Sequence, residues 1–201
     1  MKRKFWSSYG KTYLIILGHP ACARQSFSEA LALVYQAGAQ NAGHEVQLIS
    51  IARLNFDPIL HEGYQGNQPL EPDIADAQEK VRWAEHLVFV YPMWGYMIPA
   101  LLKGFFERAF TPGFAYAEKS SNPLKSGLLI GKSARIIQTT GMPSLVYRLL
   151  YRAHGAKALK SMLKFCVIAP VCITYFGSID ESDAKRKTYL ERTQALGRSG
   201  L

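Results

Sequence analysis

Residues 87–110 of this chain read LVFVYPMWGYMIPALLKGFFERAF and carry the pattern of a strand, a loop and a helix in succession. The run Leu87–Tyr91 is continuously apolar, which is typical of a β-strand covered on both faces in a parallel sheet. An aromatic loop follows, and Pro99–Phe110 then begins with proline, which is favoured in the first turn of a helix. This succession predicts one half of a β-α-β unit.

Three further segments share the character of Leu87–Tyr91, because each is short and rich in apolar, β-branched or aromatic residues. They are Tyr13–Gly18, Ala134–Thr139 and Val171–Phe176. We interpret all four as parallel strands covered on both faces. A fifth run, Glu45–Ile49, is shorter and more polar, which favours a position at or near an edge of the sheet.

Helical patterns separate these strands. Ser28–Ala42 carries apolar residues on one side and is followed by Gly43, a favoured helix stop. The predicted helices are Ser28–Ala42, Pro72–Glu85, Pro99–Phe110, Ser144–Lys164 with a break near Gly155, and Glu181–Leu196. Strands and helices therefore alternate along the chain, which indicates the α/β class.

Alternation of this kind, with right-handed crossovers, forms a doubly wound parallel sheet. Five strands favour a flavodoxin-like order, 2-1-3-4-5, over the dinucleotide-binding order. We predict a flexible leader of residues 1–11 and a single domain of residues 12–201. The stretch Asn55–Leu70 is long and irregular for a connection, so we expect it to cover a site or a subunit interface.

The composition excludes several classes of protein. Hydrophobic residues make up 48% and charged residues 19% of the 201, which argues against a disordered chain. No apolar run is long enough to cross a bilayer, and the three cysteines lack metal-binding spacing, so we predict no metal site. A reducing, cytoplasmic location fits these features.

The net charge of +9 would suit nucleic acid, an anionic membrane surface or a polyphosphate cofactor. No zinc finger or RNA-binding aromatic motif is present, so we predict no nucleic-acid partner. Two i,i+4 pairs, Arg148 with Arg152 and Lys160 with Lys164, fit either a solvated helix face or a patch for nicotinamide phosphate or lipid headgroups. Peripheral membrane association is therefore an open alternative.

Ligands of such sheets bind beyond the carboxyl ends of the strands, where the strand order reverses. The loop after the first strand offers Ser26 and Ser28 beside a helix N-terminus, which could hold a phosphate. The same serines suit an ordinary helix cap. This loop is neither a Walker A loop nor a G-x-G-x-x-G motif.

The other two loops carry aromatic and hydroxyl groups. Trp94 and Tyr96 could stack on a flat ring system, or could instead pack against a neighbouring loop or a dimer partner. Tyr147 and His154 are candidate proton donors near such a ring. A lone histidine in a helical segment also fits a purely structural role.

Together, residues 87–94 (LVFVYPMW), 98–110 (IPALLKGFFERAF) and 111–116 (TPGFAY) closely resemble the NAD(P)H:quinone oxidoreductase family. Gly18-His19-Pro20 with Ser26-Phe27-Ser28 is similar to the family's first flavin loop. Thr139-Thr140-Gly141, followed by Tyr147, is similar to its third. The resemblance extends from about Tyr13 to Phe176.

The resemblance implies a flavodoxin-like homodimer with one flavin per subunit. Such enzymes take a hydride from NADPH or NADH and then pass it to a quinone-like small molecule in the same pocket, by a ping-pong mechanism. FMN is the expected flavin and FAD the alternative, because the chain lacks the C-terminal extension of longer FAD-binding relatives.

The resemblance also implies a set of site residues. The phosphate side of the flavin would contact His19, Ser26, Phe27 and Ser28. The ring would contact Pro92, Met93, Trp94, Gly95 and Tyr96. The polar edge of the ring would contact Thr139, Thr140 and Gly141. Tyr147 and His154 would be catalytic, stabilising negative charge on the reduced ring. Phe114 and Tyr116 would line the substrate pocket.

The chain departs from the family pattern at four places. Its first loop is about two residues longer, and Gly95 stands where many relatives have tryptophan. Met142-Pro143 follows Thr139-Thr140-Gly141, where the family usually has a second glycine. His154 lies one residue away from the spacing expected for the family. These departures bear on the phosphate contacts, the width of the pocket and the role of His154.

Two other functions fit the same fold. One is a flavin-binding regulatory subunit of a membrane potassium efflux system, which the positive charge would allow. The other is a one-electron flavodoxin carrier, which the positive charge argues against because such carriers commonly present acidic surfaces.

Overall fold

Five strands form one sheet in the computed structural model, which describes residues 10–21, 25–66, 68–118 and 126–200. The strands are β1 (Thr12–Leu17), β2 (Glu45–Ser50), β3 (His86–Pro92), β4 (Ser133–Thr139) and β5 (Val171–Phe176). Their order is β2-β1-β3-β4-β5 and every neighbouring pair is parallel. The predicted flavodoxin-like fold is therefore confirmed, whereas residues 1–9 of the predicted leader lie outside the described residues.

The predicted helices are present with small changes in their bounds. They are α1 (Phe27–Asn41), α2 (Pro72–Trp83), α3 (Ala100–Ala109), α4 (Ser144–Leu149), α5 (His154–Phe165) and α6 (Asp183–Ser199). Helices α1 and α6 cover one face of the sheet, around Ile15 and Tyr35. On the opposite face, α2, α3 and α5 enclose the larger core, which includes Phe89 and Phe105.

The prediction that β5 is covered on both faces is wrong. β5 is an edge strand, and Cys172 is exposed while Ile173 and Tyr175 are only half-buried. The other three strands of that group are buried along almost their whole length. The apolar run therefore predicts the strand correctly but not how fully its two faces are covered.

The helix predicted over residues 144–164 is interrupted a few residues before Gly155. Leu150–Ala153 separates α4 from α5, and Arg152 and Ala153 adopt left-handed φ angles of 52° and 51°. Gly155 itself lies in the first turn of α5, where a Cβ would sit 2.6 Å from the carbonyl oxygen of Tyr96. The glycine serves close packing there, not helix termination.

The irregular stretch Asn55–Leu70 packs across α3. Gly104 of α3 lies against Pro58, and the buried Arg108 guanidinium donates hydrogen bonds of 2.7 Å to the Pro69 carbonyl and the Glu71 carboxylate. Ile59 and Tyr64 in this stretch remain more than half exposed. Within the described part of the chain, no helix has the length and apolar character to cross a membrane.

Candidate active site

The three loops singled out in the sequence meet at the carboxyl edge of the sheet. The ring of His19, after β1, lies edge-on to Trp94, after β3, with centroids 5.6 Å apart. The Met93 amide donates a 2.7 Å hydrogen bond to the Thr139 carbonyl at the end of β4. The Ser28 and Thr139 hydroxyls lie 3.5 Å apart and are both buried.

The first loop leads into the N-terminus of α1. Ser26 is the N-cap, and its hydroxyl accepts a 3.1 Å hydrogen bond from the Glu29 amide. Ser26 therefore does act as a helix cap, but its own proton and the amides of Phe27 and Ser28 remain suited to an anion. Phe27 lies beneath the Arg186 guanidinium, 5.5 Å from its ring centre.

The aromatic loop is a tight hairpin. Trp94 and Met97 exchange two backbone hydrogen bonds, of 3.1 and 2.9 Å. The two residues between them, Gly95 and Tyr96, have left-handed φ angles of 54° and 66°, as a type I′ turn requires. Glycine at the first central position makes this turn possible, and it leaves Trp94 49% and Tyr96 43% exposed.

This hairpin is held from beneath by α4 and its following turn. The fully buried Tyr147 donates a 3.2 Å hydrogen bond from its hydroxyl to the Tyr96 carbonyl. The Tyr96 ring stacks on Tyr151 with centroids 4.4 Å apart. A hydrogen bond with Tyr151, and repulsion from Tyr151 if it ionises, raise the pKa of Tyr96, so Tyr96 stays neutral. Tyr147 thus anchors the hairpin, and its role as a proton donor stays a prediction.

The third loop begins where β4 ends. Thr140 is buried, its amide donates a 2.9 Å hydrogen bond to the Phe176 carbonyl, and its hydroxyl accepts one of 3.3 Å from the Met142 amide. Among the described residues, the amides of Gly95, Tyr96 and Gly141 donate no hydrogen bond. These three amides could serve a ligand's carbonyl oxygens and ring nitrogens.

His154, Phe114 and Tyr116 lie outside this cluster of loops. His154 is exposed at the start of α5, next to Gly155, which contacts the Tyr96 backbone. Phe114 is nearly buried, with the Arg82 guanidinium 5.0 Å from its ring centre. Tyr116 packs edge-on against Phe165 and lines a separate cavity of about 480 Å³. A single chain therefore does not bring the predicted substrate-pocket residues to the hairpin.

A cavity of about 500 Å³ lies between the hairpin, α3 and α5. It is lined by Trp94, Met97, Ile98, Pro99, Ala100, Lys103, Gly155, Ala158 and Met162. The walls are mainly apolar, and Lys103, the charged lining residue, is paired with Glu107. Met97, Lys103, Ala158 and Met162 were missed from the sequence, although the i,i+4 spacing of Ala158 and Met162 marks a shared helix face.

Comparison with known proteins places this arrangement among oxidoreductases. A family model described as flavodoxin-like fold matches residues 11–197. A Haemophilus influenzae protein named an uncharacterised NAD(P)H oxidoreductase is 32% identical over 193 residues, covering 91% of this chain and 94% of that protein.

Two relatives carry names that include a quinone. The NAD(P)H dehydrogenase [quinone] 1 of Cavia porcellus is 33% identical over 156 residues, covering 68% of this chain and 55% of that protein. The solved NAD(P)H:quinone oxidoreductase of Methanothermobacter marburgensis superposes with a TM-score of 0.75 at 25% identity, covering 94% of this chain and 96% of that one. The chain thus spans the bacterial and archaeal relatives almost completely and the mammalian one over about half its length.

Proposed function

The chain belongs to this flavodoxin-like fold family and is an oxidoreductase, and we propose that it is a flavin-dependent enzyme that uses NAD(P)H to reduce quinones or related electrophiles. The observation that carries the proposal is the aromatic hairpin at the carboxyl edge of the sheet. Ligands bind at this edge in open α/β sheets, beside the point where the strand order reverses.

The residues at this edge fit a flavin. Trp94 and Tyr96 present half-exposed rings that suit a planar ring system. The amides of Gly95, Tyr96 and Gly141, which donate no hydrogen bond within the described residues, are suitable partners for its carbonyl oxygens and ring nitrogens. These groups lie beside an apolar cavity large enough for part of a cofactor or a substrate.

The N-terminus of α1 fits the phosphate of the same cofactor. Ser26 and the buried Ser28 lie in its first turn, and the helix dipole favours an anion there. Because the N-terminus of α1 carries these two serines and the sequence of the first loop has no G-x-G-x-x-G pyrophosphate motif, we propose FMN as the flavin. His19 would close the site from the side, since it already contacts Trp94.

A flavin bound here supplies two-electron transfer from NADH or NADPH to a quinone, in two half-reactions that share one pocket. The chain's own residues position the reactants and exclude water. Met97, Ile98 and Met162 form apolar walls against which a nicotinamide or quinone ring would pack. Tyr147, through the Tyr96 carbonyl, fixes the hairpin, and we propose its hydroxyl as the group that stabilises developing negative charge.

We also propose that the enzyme is a homodimer. The cavity beside the hairpin and the cavity beside Tyr116 share Met162, and Met97, Tyr64 and Phe165 around them are about half exposed. An apolar face of this extent favours coverage by a second subunit. Pairing through it would bring the Tyr116 cavity of one subunit towards the hairpin of the other.

Anaerobic stopped-flow mixing tests the enzymatic proposal. We expect NADPH or NADH to bleach the flavin absorbance, and a second mixing with a soluble benzoquinone to restore it after the nicotinamide has been removed. Recovery without nicotinamide would support two separate half-reactions. A bound flavin that neither nicotinamide reduces would contradict the proposal and favour a one-electron carrier.

A further inference from the structure

One segment carries the whole net charge of the chain. Residues 119–179 contain nine lysines and arginines and no aspartate or glutamate, whereas the rest of the sequence holds fifteen of each sign. In the fold, this segment includes β4, α4, α5 and β5. Seven of these nine cations lie in the described part of the segment, at the β4–β5 end of the sheet order.

In the described part of the structure, two cations of α5 lack the carboxylate partners that several lysines on other helices have. On α2, α3 and α6, Lys80, Lys103 and Lys185 each pair with a carboxylate one turn away. Among the residues that the structure describes, Lys157 and Lys160 form no ion pair. Their charge is therefore not neutralised within the described chain.

Helix α4 and its C-cap residue Leu150 add exposed apolar side chains to this basic region. Leu145, Val146, Leu149 and Leu150 are 61%, 41%, 71% and 71% exposed. At about 100° per residue they occupy one sector of roughly 140° on the helix. Tyr147, on another side, is fully buried and anchors α4 to the hairpin. Leu149 and Leu150 thus expose most of their side-chain surface to solvent.

The apolar and basic features form one continuous surface. A groove of about 520 Å³ runs between α4, α5 and the exposed edge strand β5. Its lining consists of Arg148, Leu149, Ala153, Lys157, Lys160, Val171, Cys172, Ile173 and Tyr175. None of these described lining residues is a carboxylate, and Leu149 belongs both to the apolar sector and to the groove wall. We call the groove and the apolar sector of α4 together the α4–α5 surface.

We propose that the α4–α5 surface docks the enzyme onto an anionic phospholipid bilayer. A surface helix that exposes leucines beside lysines and arginines is suited to the boundary between headgroups and acyl chains. The leucines of α4 would enter that boundary, and Lys157, Lys160 and Arg148 would contact lipid phosphates. Both the positive charge and the apolar side chains find complementary partners there.

Two other occupants fit this surface less well. Nucleic acid would complement the cations but gives no reason for four exposed aliphatic side chains on α4 and its C-cap. A second copy of the chain, paired through α4, would bring Arg148 and Arg152 towards the same arginines of its partner. Like charges at such a contact are unfavourable.

Docking would place the candidate active site at the membrane. Tyr147 and Tyr151, which belong to α4 and the turn after it, contact Tyr96 of the hairpin. A bilayer that receives α4 therefore lies close to the mouth of the apolar cavity, where a lipid-soluble quinone could enter. The inference goes beyond the proposed function, because lipid binding is measured without flavin turnover.

Co-sedimentation of the purified full chain with vesicles tests the proposal. We expect binding to mixed phosphatidylglycerol–phosphatidylcholine vesicles at about 0.1 M salt and at least tenfold weaker binding to phosphatidylcholine alone. Binding should fall steeply towards about 1 M salt, where the Debye length shrinks from roughly 10 to 3 Å. No sedimentation with the anionic vesicles would overturn the proposal.

Matched variants locate the surface. Lys157→Gln with Lys160→Gln should weaken vesicle binding about 25-fold, at roughly fivefold per cation. Leu149→Ser with Leu150→Ser should weaken it at least tenfold and remove insertion into the acyl boundary. Lys187→Gln with Arg198→Gln removes the same charge from α6 and should change binding less than about threefold.

Three results would contradict the inference. Equal losses from the α5 and α6 pairs would mean that bulk charge, not this surface, binds lipid. Duplex DNA bound more tightly than vesicles would assign the surface to nucleic acid. Dissociation of a dimer by Leu149→Ser with Leu150→Ser, measured by sedimentation velocity, would assign it to a subunit interface.

Discussion

Aromatic side chains are buried at the amino end of the sheet and partly exposed at its carboxyl end. At the amino end, Tyr13 stacks on His44 with centroids 4.6 Å apart, and the buried His86 contacts the Ser133 hydroxyl at 2.7 Å. At the carboxyl end, Trp94 and Tyr96 are about half exposed, and the amides of Gly95 and Tyr96 donate no hydrogen bond within the described residues. The cavities follow the same division, at about 160 Å³ and about 500 Å³.

The comparison separates residues that stabilise the fold from residues that bind a ligand. Tyr13 and His86 at the amino end are buried within the chain, so changes there should lower stability and leave ligand binding intact. Groups at the carboxyl end have open surfaces and free amides, so changes there should have the reverse effect. A variant that lost both stability and ligand binding would contradict this division between the two ends.

Filling the carboxyl-end cavity should have the largest effect. Ala158→Arg places a charged, bulky side chain among Trp94, Met97 and Met162, so we expect kcat/KM for a soluble quinone to fall about 100-fold, equivalent to roughly 2.7 kcal/mol. Lys157→Arg, one residue away on the other flank of α5, is the control and should stay within about twofold. Similar losses in both variants would show that the cavity is not the substrate pocket.

At the amino end, His86 should make the free energy of unfolding depend on pH. Burial lowers the pKa of His86 from 6.5 to about 3, so the unfolded chain binds a proton that the folded chain excludes between these values. His86 therefore contributes stability above about pH 6.5 that is lost as the pH falls. We expect about 2 kcal/mol less stability at about pH 5 than at about pH 7, measured by urea unfolding.

The control for this pH dependence is His86→Gln, which cannot titrate. Its unfolding free energy should vary by about 2 kcal/mol less over the same range, even if its absolute stability is lower. An unchanged pH dependence in the variant would mean that another group accounts for the effect.

Two tryptophans allow the same substitution at each end. Trp94→Ala should weaken flavin binding about tenfold through lost stacking and barely change stability, since the side chain is half exposed. Trp83→Ala, packed against the core near the amino end, should cost about 2 kcal/mol of stability and leave flavin affinity within about twofold. Flavin titration and urea unfolding of both variants would show whether the effects separate.

Tyr147→Phe should have the smallest effect on binding and a measurable one on rate. The ring keeps its packing, so flavin affinity should stay within about twofold, while flavin reduction by NADPH slows about tenfold as the hydroxyl is lost. Leu145→Ala on the exposed side of α4 serves as a control. Unchanged single-turnover reduction would remove Tyr147 from the mechanism.

The sequence was sufficient for the fold because strand formation is a local property of apolar runs such as Leu87–Tyr91. The predicted order placed β5 correctly at an edge but its burial was overstated, since the same apolar pattern appears whether the faces of a strand are covered fully or partly. The hairpin residues were also readable, because they follow a strand directly. Ala158, Met162 and Tyr151 were not, because their contacts depend on the left-handed turn at Arg152 and Ala153, for which the sequence carries no glycine signal.

The most direct test of the central claim is the identity of the ligand held by the hairpin. The purified protein should be yellow, or should become so with FMN, and titration should end at about one flavin per chain, with heat-released flavin identified by chromatography. Trp94→Ala should require about tenfold more flavin. A colourless protein that binds neither FMN nor FAD would contradict the account.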